Sequence, residues 1–164
     1  MAMDPGRMPA AVRPLYLKAL QFFQAKDYAA ALAMLPEICA VDPNCFRARL
    51  LEAYLYRDNG QPLAELQALR ELLAGDWEVG SSEAAGLYAD AWSLLGAAWN
   101  FIGQSESAVA AFQRAAEWEP DSKQKAVEYS NAVFAANNLE LPPEGWQRLF
   151  TGYQELFKTV RPYR

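Results

Sequence analysis

The sequence contains no histidine and only two cysteines in 164 residues. Without histidine the chain lacks the commonest general base, the Ser-His and Cys-His nucleophilic pairs, and most transition-metal ligand sets. Two thiols without histidine do not make an ordinary zinc site, so neither a metal nor a cofactor is expected. Glycine is sparse, and Gly75, Gly80, Gly86, Gly96, Gly103 and Gly145 are spread over turns and helix contacts, with no G-x-G-x-x-G and no G-K-[ST] phosphate cradle. Glu117 and Glu119 resemble a carboxylate pair, yet they stand two apart on a helix and face different directions, so a solvated surface is expected for both. No charge-free run of about 18 apolar residues is present, which excludes a membrane-spanning helix, and no secretory signal opens the sequence. Basic residues are in deficit: 15 Lys and Arg stand against 20 Asp and Glu, a net charge of −5. That balance argues against a sequence-independent grip on nucleic acid, which needs a basic face. With catalysis, membrane and nucleic acid set aside, binding of a protein or peptide remains.

What is present is apolar periodicity. A hydrophobic content of 52% excludes disorder, and the length suits one domain with a real core. Trp92, Leu95 and Trp99 fall on one helix face at i, i+3, i+7, and Gly96 on the same side lets a second helix approach closely. Gly103 ends that helix. Ala108, Phe112 and Ala115 recur at i, i+4, i+7 on the next helix, with Phe112 filling the space between the two. Pro120 then stops the second helix. The product is an antiparallel helical hairpin, which cannot bury its apolar face alone.

The run Trp92-Ser-Leu-Leu95-Gly96-Ala-Ala-Trp99, followed by Ala108-Val-Ala-Ala-Phe112 and Pro120, resembles the tetratricopeptide-repeat family. The resemblance implies an all-α, right-handed solenoid of helical hairpins whose work is recognition of another chain. Two more units are found upstream. In the first, Leu15, Ala19 and Phe22 are followed by Asp27-Tyr28, Ala31, Leu35, Ile38 and Asp42-Pro43. In the second, Ala53, Tyr56, Gly60, Leu69 and Leu72 fit, but Glu65 takes the place of a small alanine and Trp77 that of the closing proline. Gly80-Ser81-Ser82-Glu83 reads as a turn and helix N-cap, so the third unit should start early, with an unusually long first helix. Cys39 and Cys45 flank the turn after the first hairpin, close enough in sequence for a disulfide, but are read as small packed residues in a reducing, cytoplasmic compartment.

The expected organisation is a vector-derived leader over 1–7, three hairpins over 8–120, and two C-terminal helices over 121–164. Asp121-Ser122 caps a helix through Ala126, Tyr129, Val133 and Ala136, closed by Asn137-Asn138. A final helix starts at Pro142-Pro143-Glu144 and carries the strongest stripe in the chain: Trp146, Leu149, Phe150, Tyr153, Leu156, Phe157 and Val160. That stripe either caps the open end of the solenoid or meets a partner, a second copy of the chain included.

In the family, first helices line a concave groove. The resemblance therefore implies a groove lined from Arg13, Tyr16, Leu17 and Leu20, from Arg47, Leu50, Leu51 and Tyr54, and from Asp90, Ser93, Leu94 and Ala97, largely apolar in character. The carboxylate clamp known for chaperone C-termini needs Lys and Asn where this chain has Tyr16, Leu20, Leu50, Tyr54, Ser93 and Ala97, and an asparagine ladder is replaced by Leu17, Leu51 and Leu94. Both of those modes are rejected. Such a groove either grips a partner helix or is filled by the chain's own segments. Finally, Ser130-Asn131-Ala-Val-Phe134-Ala-Ala-Asn137 with Leu141-Pro-Pro-Glu144 resembles the connector of bacterial SPINDLY-type proteins, in which repeats run into an O-N-acetylglucosaminyltransferase-like domain. That resemblance implies a partner-recognition region of a larger enzyme, with no catalytic residue inside these positions. A free-standing adaptor is the competing expectation.

Overall fold

The turns decide this fold, because three of them are built alike. Lys26, Gly60 and Gly103 each take a left-handed backbone, with φ of 59°, 71° and 83°. Around them the same two hydrogen bonds recur. The amides of Asp27, Gln61 and Gln104 reach back to the carbonyls of Phe22, Tyr56 and Trp99 at 2.9, 2.8 and 2.9 Å, and those of Lys26, Gly60 and Gly103 reach Phe23, Arg57 and Asn100 at 2.9, 3.1 and 3.1 Å. This is the Schellman arrangement, which satisfies the last helical carbonyls and reverses the chain. In each case the residue that closes one helix is also the N-cap of the next: Asp27, Gln61 and Gln104.

The computed structural model describes residues 2–158, and within them the side chains of all but 153, 156 and 157. Among the described residues eight helices follow in order: α1 (Arg13–Gln24), α2 (Tyr28–Val41), α3 (Phe46–Asp58), α4 (Pro62–Leu73), α5 (Ser82–Phe101), α6 (Ser105–Trp118), α7 (Ser122–Ala136) and α8 (Pro143–Phe157). Helix α5 is the long helix expected from Gly80 to Glu83, 20 residues, and Ser81 Oγ accepts from the Ala84 amide at 3.1 Å as its cap. Asp27 and Asp121 cap α2 and α7 by accepting from Ala30 and Gln124.

Contacts divide the chain into two compact units, Met1–Leu87 and Tyr88–Arg164. In the first, α1 packs on α2, α2 on α3 and α3 on α4. Its core is made of Val12, Ala19, Ala31, Leu35, Ile38, Ala48, Leu51 and Leu55, with small residues at the crossings. Trp77, standing where a closing proline is usual, packs edge-on against Phe46 at 4.9 Å and donates from Nε1 to the Leu72 carbonyl at 2.7 Å. The segment set aside as a leader also takes part. Met3 pairs with the Trp77 region through its amide to Asp76 O at 2.9 Å and its carbonyl to the Glu78 amide at 2.8 Å, and Pro5 is fully buried.

In the second unit, Ala108 and Phe112 of α6 join Ala132, Ala135 and Ala136 of α7 and Leu149 of α8, with Trp99 and Trp146 packed against them. A Cβ added at Gly96 would stand 2.8 Å from the Phe112 ring, so glycine is what lets α5 and α6 meet here. Helix α7 ends at Ala136 as expected, but Asn137 is right-handed, with φ of −60°, so this turn does not repeat the other three.

Candidate partner-binding surfaces

The first helices of the hairpins are joined by side chains, and these mark the candidate face in the first unit. Arg47 of α3 lies close enough to Tyr16 of α1 to act on its phenol, and Arg47 Nη2 forms an ion pair with Glu83 Oε1 at the start of α5. The Tyr16 pKa is raised above its ordinary value, chiefly by burial, with the Arg47 charge opposing the shift. A row Tyr16, Arg47, Glu83 therefore runs across α1, α3 and the beginning of α5.

The other expected lining residues divide by burial. Leu17 is 51% exposed, Arg13 is exposed, and Tyr16 and Leu20 are half-buried against the core. Tyr54 is half-buried. Leu50, Leu51 and Leu94 are 6%, 4% and 3% exposed. These three leucines serve the core, so the surface left by the first helices is more polar and aromatic than the expected apolar lining. The reason is geometric: in a two-layer hairpin, a first helix has to bury a wide stripe against its own partner helix before it can present a free face.

In the second unit, first-helix residues are tied to α7 and to the core. Ser93 Oγ donates to Glu128 Oε2 at 2.9 Å, and Gln124 Nε2 donates to Glu128 Oε1 at 3.0 Å, so α5 and α7 are tied through a carboxylate that is only 2% exposed. Ala97 packs against the core shared by α6, α7 and α8. Asp90, though exposed at the residue level, has its pKa raised to about 6, first by loss of solvation around the carboxyl and then by the charges of Glu119 and Glu128. Glu119 corrects the expectation of a solvated surface. It is buried, and its Oε1 accepts from the Asp121 amide at 3.0 Å, closing the turn between α6 and α7. Glu117 does lie on the exposed surface, 3.8 Å from Arg114.

Among the described residues, no group of three or more His, Cys, Asp or Glu is placed to hold a metal ion, and no helix is long and apolar enough to cross a membrane. Cys39 and Cys45 are free thiols, and burial raises the Cys45 pKa. On α8, Leu149 is buried and Trp146 packs with the α6 and α7 core, stacking on Phe150 with centroids 6.1 Å apart, while Phe150 stays 44% exposed. Of the expected stripe, Trp146 and Leu149 thus pack against α6 and α7. Tyr153, Leu156, Phe157 and Val160 lie outside the described side chains.

No protein-family model matches the chain, and no curated protein matches it. Solved structures do. The MamA RS-1 ArsTM double mutant is 22% identical, with 90% of this chain and 76% of that one covered and a TM-score of 0.64. A crystal structure of MamA protein is 16% identical over 96% of this chain and 100% of that one, with a TM-score of 0.57. MamA 41-end from Desulfovibrio magneticus RS-1 is 22% identical over 92% and 78%, with a TM-score of 0.56. The likeness is one of fold, and it agrees with the helices seen here: an all-α, tetratricopeptide-like hairpin solenoid. None of these comparisons supports the likeness of Ser130–Glu144 to a glycosyltransferase connector.

Proposed function

We propose that this chain is a non-catalytic helical-repeat scaffold that binds a protein or peptide partner on the face shared by the first helices of its hairpins. The observation that carries this reading is the row Tyr16, Arg47, Glu83, which lays first helices side by side and leaves Leu17 exposed beside Tyr16. An amphipathic partner would set apolar side chains on Leu17, Leu20 and Tyr54 and polar ones along the Arg47 row. The site sits in a cytoplasmic, reducing compartment, where Cys39 and Cys45 stay as thiols. Affinity capture with the intact chain tests it against Leu17→Asp and Tyr54→Ala. Loss of the captured partner in both variants, with unchanged circular dichroism, is the expected result; unchanged capture refutes the reading.

A second reading rests on the resemblance of Ser130–Glu144 to the SPINDLY-type connector. Here the scaffold is the partner-recognition region of a larger glycosyltransferase. The coding sequence decides it: an α/β catalytic region after Arg164 supports the larger enzyme, and a stop codon supports the free-standing adaptor. A third partner class is a second copy of the chain, joined through α8 by the exposed Phe150. Sedimentation equilibrium showing a monomer throughout the micromolar range would count against that dimer.

A further inference from the structure

The face of α3 turned away from Arg47, Leu50 and Tyr54 carries two adjoining hollows that the proposed function does not use. Arg49, Glu52 and Tyr56 stand at i, i+3, i+7 on α3 and form the wall common to both. On one side, a hollow of about 430 Å³ lies between this row and α4, where it meets Gln67, Glu71 and Trp77. On the other, a hollow of about 400 Å³ reaches α2 at Leu32, Leu35 and Pro36. One half of the groove is therefore polar and the other apolar.

The polar half is rich in acceptors. Glu52 Oε2 accepts from Arg49 Nη1 at 3.2 Å and Glu52 Oε1 from the Tyr56 hydroxyl at 3.3 Å, so the one cation of the wall is already engaged within its own helix. Glu71 Oε1 accepts from Gln67 Nε2 at 2.9 Å, a neutral donor, and its charge is opposed at a distance by Arg49, which is bonded to Glu52. A carboxylate offers about four acceptor positions, so both glutamates keep capacity for a further donor. Pro36, inside α2, has no N–H to give the Leu32 carbonyl its helical bond, and both residues line the other hollow. Burial first, and then Glu52, hold the Tyr56 phenol above its ordinary pKa, with the Arg49 charge opposing the shift.

We infer that this groove is a second recognition site, and that it takes an extended peptide segment placing a lysine or arginine side chain against Glu71 and Glu52 and a neighbouring apolar side chain against Leu32, Leu35 and Pro36. The carboxylates select the cation by charge-assisted hydrogen bonds, and the apolar half sets the register. This site goes beyond the face proposed above and stands or falls separately from it.

An array of short peptides, each with one position scanned through all side chains, tests the inference against the intact chain, followed by titration of the best peptide with amide NMR shifts as readout. Lysine or arginine is the expected selection at one position, with shift changes clustered at Asn44, Gln67, Ala68 and Gly75. Glu71→Gln should weaken that peptide about tenfold while leaving the Gln67 contact and the helix intact. Ala68→Trp, which fills the hollow, should abolish binding irrespective of charge. Selection of acidic side chains, unchanged affinity in either folded variant, shifts centred on Tyr16 and Arg47, or no selection at all would overturn it.

Discussion

Replacing Gly96 by alanine isolates the contact on which the third hairpin depends. Taken alone, alanine for glycine inside a helix is favourable by about 1 kcal/mol. At Gly96 the new methyl would stand 2.8, 2.9 and 3.0 Å from Cδ1, Cε1 and Cγ of Phe112. Carbon atoms rest at about 3.5–4.0 Å, so the ring has to retreat by roughly 0.7 Å. Phe112 is 6% exposed and the clash includes Cγ, close to the backbone, so a rotation of the ring alone does not relieve it. Overpacking of this kind costs about 1–3 kcal/mol. The upper half of that range applies to so enclosed a ring, and the net loss is about 1–2 kcal/mol. Gly86 lies on the same helix, where an added methyl would meet nothing within 4 Å, so Gly86→Ala should instead stabilise by about 0.5–1 kcal/mol. Urea denaturation followed by far-ultraviolet circular dichroism measures both. A Phe112→Leu background should remove most of the Gly96→Ala penalty, because the leucine side chain can turn aside. Stabilisation by Gly96→Ala, or an equal penalty with leucine at 112, would refute the close-approach reasoning.

Three further outcomes follow from the carboxylates and from α8. Glu65 is 4% exposed, and burial lifts its pKa from 4.5 to about 7, against a lowering by Arg57. The folded state therefore holds this proton more tightly than the unfolded chain, and stability falls as pH rises from 4.5 through 7. Glu65→Gln should match the parent below pH 4.5 and exceed it above pH 7 by up to about 3 kcal/mol, the linkage limit for such a shift; equal pH profiles in urea titrations would contradict this. For Asp90, a side-chain carboxyl NMR titration should give a midpoint near 6, falling in Glu128→Gln as one like charge is removed, and no change in that variant would remove Glu128 as a cause. Leu149→Ala should destabilise the second unit by about 2–4 kcal/mol, whereas Phe150→Ser should cost far less, since Leu149 is buried and Phe150 is 44% exposed. Comparable losses in thermal melts would show that α8 is not seated by Leu149.

The hairpins were legible because their evidence is local. Gly96 and Phe112, the Ser81 cap of α5 and the Pro143 start of α8 are all set by side-chain periodicity or by residues a few positions apart. The carboxylates were harder. Glu65 was visible as an anomaly in a place that favours alanine, but its degree of burial depends on packing that no spacing reports. Glu119 read as a surface residue, and the bond that holds buried Glu128 comes from Ser93, 35 positions away. The groove across α3 was equally hidden, since Arg49, Glu52 and Glu71 look like ordinary solvated charges until α2 and α4 are placed on either side. The burial of Leu50, Leu51 and Leu94 was hidden for a related reason: a helical pattern shows which residues share a face, and only the packing shows how much of that face the core requires.

The shared residue at each hairpin turn has a consequence for how the chain tolerates changes of length. Because Asp27, Gln61 and Gln104 finish one helix and start the next, one inserted residue at any of these corners would unseat a C-terminal and an N-terminal cap together. The connections over 74–81 and 137–142 carry no such double duty. Insertions, fused tags or a grafted loop should therefore be accepted at exposed Gly80 and Glu140, clear of the Trp77 contacts and the Ser81 cap, and rejected at the three corners, which makes the corners the fixed points of the hairpins.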